Sequence, residues 1–192
     1  MSEVPVVGAV KKVKIFQRFT AIDLVTLAVF AALYRACWYL WNALSFAFPF
    51  NQILNTLFYC LCGVAALMFV RKVGAATLFL IAGALINIFI QGESMAIAAV
   101  SLGLGILADV YILVFRAMGK DVFKSRTQMF IIAAILSFVH SFALWIILFK
   151  MVFMVPLPDA IFYSVLGAGV VAGFVGGVLG YFLGNKLKGL VG

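Results

Sequence analysis

Charge is scarce in this chain. Only 10% of its 192 residues are Asp, Glu, Lys or Arg, against about 25% in soluble domains. With 67% hydrophobic residues and a mean hydropathy of +1.24, a soluble fold of this size has nowhere to hide its apolar surface. The natural solvent for most of the chain is lipid. Length adds a second exclusion. Six apolar spans of roughly 20 residues consume about 120 residues, which leaves no room for an ATPase, nucleotide-binding or DNA-binding head.

Histidine is nearly absent too: His140 stands alone. There is no HExxH, no GxSxG and no Walker A string, so zinc-protease, serine-hydrolase and P-loop ATPase chemistry lack their parts. The expectation is a chain that is not an enzyme, holds no metal and carries no cofactor of its own. Cysteine is sparse. Cys37, Cys60 and Cys62 lie in apolar stretches, are odd in number, and offer no CxxC or Cys/His ligand spacing. They are expected to pack as small apolar side chains. Residues 1–20 lack the short apolar core and small-residue cleavage site of a signal peptide. They are expected to form a basic cytoplasmic lead-in, followed by one transmembrane domain over 21–192.

What charge there is runs positive, to a net +8. It is placed between apolar runs, where topology signals sit, so a nucleic-acid partner is not expected. The charges, glycines and prolines mark out six spans: 21–42, 51–70, 75–90, 95–115, 127–149 and 160–184. Ser94 is expected to cap the fourth, and the turn Lys72-Val73-Gly74 to fold spans two and three into a tight hairpin. With the N-terminus inside, inner segments hold Lys11, Lys12, Lys14, Arg18, Arg71, Lys72, Arg116, Lys120, Lys124, Arg126, Lys186 and Lys188. The outer connections hold only Lys150, and Arg35 falls within a span. The fold class expected is therefore an all-α integral membrane protein, a six-transmembrane-helix bundle with both termini cytoplasmic, in the cell membrane.

Small residues suggest where helices meet. Span six contains Gly167, Gly169, Gly173, Gly176, Gly177, Gly180 and Gly184, several of them four apart, which favours close packing in lipid, expected inside the bundle, with a homodimer seam as the alternative. The string Gly103-Leu104-Gly105-Ile106-Leu107-Ala108 matches a dinucleotide fingerprint, but it lies in a span with no βαβ unit, so helix packing is its expected role. Ala28, Ala32 and Ala36 form a smooth stripe on span one. It serves either internal packing or the docking of a second membrane subunit. The charge pattern does not divide into two similar halves, so an inverted-repeat transporter gains no support.

Polar residues in the spans gather toward the expected outer side. Span one contributes Tyr34, Arg35, Trp38, Trp41 and Asn42; span two, Asn51, Gln52 and Asn55; span three, Asn87 and Gln91, followed by Glu93. Span five contributes His140, Ser141 and Trp145, and span six Asp159, Tyr163 and Ser164. Polar groups at membrane depth face protein or a water-filled cavity, so the outer half resembles a pocket with aromatic walls. Each feature has a plainer alternative. Trp38, Trp41 and Trp145 suit an interfacial belt, Glu93 a solvated loop, and His140 a satisfied core position. Arg35 is expected to pair with Glu93 or Asp159, or to bind an anionic group. Asp109 sits toward the inner end of span four, away from the pocket, bonded within the bundle or at a subunit contact.

The architecture, the basic N-terminus, and Phe19-Thr20-Ala21-Ile22-Asp23-Leu24 followed by Ala28-Val29-Phe30-Ala31-Ala32-Leu33-Tyr34 resemble the substrate-binding S components of energy-coupling-factor (ECF) vitamin transporters. Val70 to Ala76, Gly92-Glu93 and Gly103 to Asp109 look like the hydroxymethylpyrimidine/thiamine subgroup. The resemblance implies capture of a vitamin or vitamin precursor from outside. It also implies a transmembrane coupling subunit and two cytoplasmic ATPases that consume ATP as partners. Ala28 and Ala32 match the family's AxxxA docking pattern, and Glu93, His140 and a Trp would form a thiamine-like pocket. A stand-alone secondary transporter or channel and a membrane scaffold or assembly protein are the alternatives. A channel calls for polar residues through the full depth of a helix, and a scaffold needs no outward pocket.

Overall fold

A computed structural model of the chain describes residues 17–43, 50–91, 95–152, 154, 156 and 158–191. Six α-helices account for most of them: α1 (Ala21–Ala43), α2 (Phe50–Val70), α3 (Ala75–Gln91), α4 (Met95–Ala117), α5 (Arg126–Phe142) and α6 (Asp159–Val191). Helix α5 continues as a π-helix over Ala143–Val152, and a 3₁₀ turn over Val122–Lys124 precedes it. Five helices are long and apolar enough to cross a membrane; the apolar stretch of α3, Ala75–Ile90, is shorter. The 17 residues of α3 rise about 25 Å, less than the ~30 Å of a hydrocarbon core. The chain is a helical membrane bundle of five helices of spanning length and the shorter α3, which occupies the stretch 75–90 expected for the third span.

The helix starts follow from side-chain chemistry. Thr20 and Asp23 cap α1 reciprocally: the Thr20 amide donates to Asp23 Oδ2 at 2.7 Å, and the Asp23 amide to Thr20 Oγ1 at 3.2 Å. This is the capping-box arrangement, with Asp in place of Glu. Ser125 caps α5 through the Gln128 amide. Helix α6 runs past the expected end near residue 184, because Asn185 and Lys188 are tied to the end of α2. Arg71 donates to Asn185 Oδ1 at 2.8 Å, and Lys188 to the Phe69 carbonyl at 3.4 Å. Ser94, the expected cap of α4, lies outside the described residues.

The α2–α3 connection is the tight hairpin expected. Arg71 and Gly74 both adopt positive φ, 53° and 93°, which for Arg71 is unfavourable. Its carbonyl accepts from Arg116 at 2.7 Å and its Nε donates to the Met68 carbonyl at 2.9 Å, holding the turn from both sides. Lys72 pairs with Asp23, which fastens the start of α1 to this turn.

Helix α2 is the centre of the bundle, with α1, α3, α5 and α6 packed around it, α6 most extensively. The glycines of α6 make that contact. A Cβ on Gly176 would sit on the Leu57 carbonyl and one on Gly180 on the Leu61 carbonyl; one on Gly184 would come within 2.7 Å of the Ala65 oxygen. Gly105 of α4 approaches α3 in the same way, 2.7 Å from Thr77 Cα for an added Cβ. The false dinucleotide fingerprint is thus a packing surface at its second glycine, while Gly103 faces open space.

Candidate binding site

Helices α1, α2, α3 and α5 bring a set of polar and aromatic side chains together in the half of the bundle away from the Arg71 turn. At its centre, the His140 imidazole stacks on the Tyr59 ring, with centroids 4.1 Å apart and planes 14° from parallel. Tyr34 meets Tyr59 edge-on at 5.7 Å. Arg35 lies over Tyr34 at 4.7 Å and donates from Nε to the Gly83 carbonyl at 3.1 Å. One turn further along α1 and α3, the Tyr39 hydroxyl donates to Asn87 Oδ1 at 3.3 Å. Arg35, Asn55, Asn87 and His140 are all buried, none more than 7% exposed.

The cluster contains hydrogen-bonding capacity it does not use. Asn55 donates to Gln52 Oε1 at 3.3 Å, but Asn55 Oδ1, His140 Nε2 and Ser141 Oγ have no hydrogen-bond partner among the described residues. Buried polar atoms in native proteins are nearly always satisfied, and an unsatisfied one is more costly in an apolar surround. Asn55 and Tyr59 are four apart on α2 and share a face. His140 and Ser141 precede the switch of α5 to π geometry, where the Ala143 amide reaches both the His140 and Val139 carbonyls. π segments inside α-helices concentrate at functional sites.

Other expected site residues fall elsewhere. Trp145 is fully buried in a small apolar cluster with Leu144, Phe162 and Val165, edge-on to Phe162 at 6.3 Å. Trp38 is half-buried, edge-on to Tyr39 at 5.2 Å. Tyr163 is 59% exposed beneath the Lys150 ammonium. Lys150 pairs with Asp159 at 2.8 Å, and this ion pair raises the lysine pKa. Asp159 is therefore taken by Lys150 across the α5–α6 connection, while Arg35 bonds Gly83 in the α1–α3 seam. Glu93 and the side chain of Gln91 lie outside the described residues. Tyr59 was not singled out in the sequence, since an aromatic in an apolar run reads as core; its place one turn from Asn55 was the available signal.

The alanine stripe turns away from the bundle. Ala28, Ala32 and Ala36 are all exposed, whereas Leu27, Phe30, Ala31, Tyr34 and Arg35 form the buried face of α1. Asp109 bonds within the bundle, as one alternative anticipated. It accepts from the amides of Gly74, Ala76 and Thr77 and from the Thr77 hydroxyl.

These features define a multi-pass helical membrane protein with a polar cluster enclosed among its helices. The sequence profile of the family described as "ABC-type cobalt transport system, permease component" matches residues 22–136, well over half of the chain. The chain belongs to that family and is a membrane component of an ABC-type transport system, a class that works with ATPase partners on a transported small molecule. The matched segment runs from α1 to Leu136 in α5 and ends before His140 and Ser141. No curated protein and no solved structure matches the chain.

Proposed function

We propose that the chain is the substrate-capture subunit of an ECF-type importer for a vitamin or vitamin precursor, with a thiamine-related ligand favoured. The observation that carries this proposal is the buried Tyr59–His140 stack with its unbonded His140 Nε2, and the unbonded Asn55 Oδ1 one turn from Tyr59 on α2. Aromatic rings with a few directional polar groups are the elements that hold a small heteroaromatic ligand. Glu93, at the α3–α4 connection, would complete the site by accepting from an amino group or balancing positive charge. The exposed alanine stripe suits a docking face for a transmembrane coupling subunit, and two cytoplasmic ATPases would supply the energy. In this scheme the chain is not an enzyme, carries no cofactor, and sits in the cell membrane with both termini cytoplasmic, as the basic residues direct.

The family description names cobalt. A cobalt ion calls for several imidazole, thiolate or carboxylate donors converging on one point. Among the described residues no group of three or more His, Cys, Asp or Glu does so, which favours an organic ligand. Calorimetric titration of the purified chain with thiamine, hydroxymethylpyrimidine, unrelated vitamins and Co²⁺ tests the choice. Saturable binding of a thiamine-related compound is the expected outcome. Binding of Co²⁺ alone would overturn it. For the orientation, cysteine labels at residues 18, 72, 120 and 188 are expected to be reached only from inside, and labels at 48, 92 and 156 from outside. External labelling at residue 120 would overturn the topology.

A further inference from the structure

The α3–α4 pair carries a feature that substrate capture does not use. An open furrow of about 320 Å³ lies between the two helices near the Arg71 turn, walled by Val73, Leu78, Ile106, Val110 and Leu113. The polar groups in its lining, Asp109 and Thr77, are spent on each other and on the first turn of α3. A second furrow of about 270 Å³, walled by Ile81, Leu85, Ala98 and Leu102, follows it along the same seam. From Leu113 back to Ala98 the two cover 15 steps of α4, or about 22 Å. One leaflet of a bilayer is about 15 Å deep, so the seam is long enough for a whole acyl chain.

Charge identifies the occupant. The furrow reaches the α2–α3 connection at Val73 and Gly74; that connection and the α4–α5 connection, joined to it through Arg116, hold with their flanks Arg71, Lys72, Arg116, Lys120, Lys124 and Arg126 against Asp121. The first three are engaged, Arg71 with Asn185, Lys72 with Asp23 and Arg116 with the Arg71 carbonyl. Asp121 accepts from the Phe123 amide, starting the 3₁₀ turn whose Val122 and Phe123 are buried. Lys120 and Lys124 stand exposed on either side of it. An apolar slot at the end of the bundle where these ammonium groups are exposed complements an acyl chain ending in a phosphate. We propose that the α3–α4 seam is a binding site for one anionic phospholipid. One of its chains lies in the furrow and its headgroup sits at Lys120 and Lys124. The shortness of α3 favours the same place, because a helix below the bilayer thickness draws headgroups inward.

The test uses the full chain in detergent, stripped of lipid and titrated with phosphatidylglycerol or phosphatidylcholine of identical acyl chains. Native mass spectrometry counts bound lipids, and thermal unfolding reports their effect. One phosphatidylglycerol per chain is expected, bound at least 10-fold more tightly than phosphatidylcholine, with a rise in Tm that phosphatidylcholine does not reproduce. Val110→Trp, at a position 47% exposed on the furrow wall, is expected to abolish that stoichiometric lipid while leaving the lipid-free Tm unchanged. Ile106→Trp, from the same wall, serves if Val110→Trp does not fold. Lys120→Gln with Lys124→Gln is expected to weaken phosphatidylglycerol about 30-fold, from roughly 1 kcal/mol per surface cation. Equal occupancy by the two lipids, or stoichiometric phosphatidylglycerol retained by both Trp variants, would overturn the proposal. So would a polypeptide cross-linked at residue 110 that phosphatidylglycerol does not displace, since the seam would then be a protein interface.

Discussion

Asp109 of α4 closes the first turn of α3 through Thr77, accepting from the Thr77 amide at 2.8 Å and from its hydroxyl at 2.6 Å. The Gly74 amide at 2.9 Å and the Ala76 amide at 3.3 Å complete the set. A helix start leaves several amides without an intrahelical partner, and here a side chain from a neighbouring helix satisfies three of them. The carboxylate also lies at the positive end of the α3 dipole.

Asp109→Ala is therefore expected to destabilise the bundle by on the order of 3 kcal/mol or more. Each buried amide left without a partner costs about 1–3 kcal/mol. Asp109→Asn, which keeps one acceptor oxygen, is expected to lie between the variant and wild type. Thr77→Val removes one bond and is expected to cost about 1 kcal/mol. Thermal unfolding in one detergent orders the three. An Asp109→Ala protein as stable as wild type would show that the cap contributes nothing.

The glycines of α6 make a sharper prediction because neighbours on the same helix differ. Gly176→Ala and Gly180→Ala press a methyl group onto α2 backbone carbonyls, with no flexible side chain to give way. Overpacking of this kind costs about 1–3 kcal/mol or more. Gly167 meets nothing within 4 Å, so Gly167→Ala is expected to be neutral or slightly stabilising, since alanine is the better helix former by roughly 0.5–1 kcal/mol. Yield of monodisperse protein and Tm together read the contrast. Similar behaviour of all three variants would mean that α6 does not seat on α2 through these glycines.

Much of this architecture was legible in the chain. The helix limits fall where Arg71-Lys72, Arg116 and the prolines interrupt apolar runs, because charge and proline are costly within a span. That α6 packs closely was legible in its glycines; that its partner is α2 was not. What escaped is tertiary. Asp109 is near Gly74 only because α4 folds back on α3, and no local pattern announces a cap supplied by another helix. The π segment Ala143–Val152 extends the apolar run of the α-helix before it and is more apolar still, and no residue in it signals a change of register. Trp145 has the composition of a pocket wall, yet it packs on Phe162.

That distinction decides how the site is tested. Trp145→Ala empties a fully buried position and is expected to cost about 3–5 kcal/mol in stability, so its effect on binding reports folding as well as contact. Asn55→Ala removes the unbonded Oδ1 and is expected to leave the Tm nearly unchanged while weakening a thiamine-related ligand roughly 2- to 10-fold, from about 0.5–1.5 kcal/mol per neutral hydrogen bond. His140→Ala removes both a stacking face and Nε2, and a larger loss is expected. Glu93→Gln, if it removes a charged partner, is expected to weaken binding about 10- to 150-fold, from about 1.5–3 kcal/mol. Calorimetry on all four variants is decisive: wild-type affinity in Asn55→Ala, His140→Ala and Glu93→Gln would remove the ligand from this cluster.

The alanine stripe, proposed above as the docking face, allows capture and delivery to be tested separately. Ala28 and Ala32 are exposed and face away from the Tyr34 and Arg35 side of α1. Tryptophan at either position therefore has space in the isolated chain, and its Tm and ligand affinity are expected to match wild type. In the assembled transporter the same ring would hold a partner helix several ångströms away. Close backbone approach is what small residues provide in lipid, where the hydrophobic effect does not drive helices together. Ala28→Trp and Ala32→Trp are thus expected to lose co-purification with a coupling subunit and to lose uptake, with binding intact. Leu33→Ala, which shrinks an exposed residue of the same helix, is expected to leave all three unchanged. Uptake at the wild-type rate in both tryptophan variants would show that the partner docks elsewhere. Loss of ligand binding in either would show that the stripe serves the fold of the capture site instead.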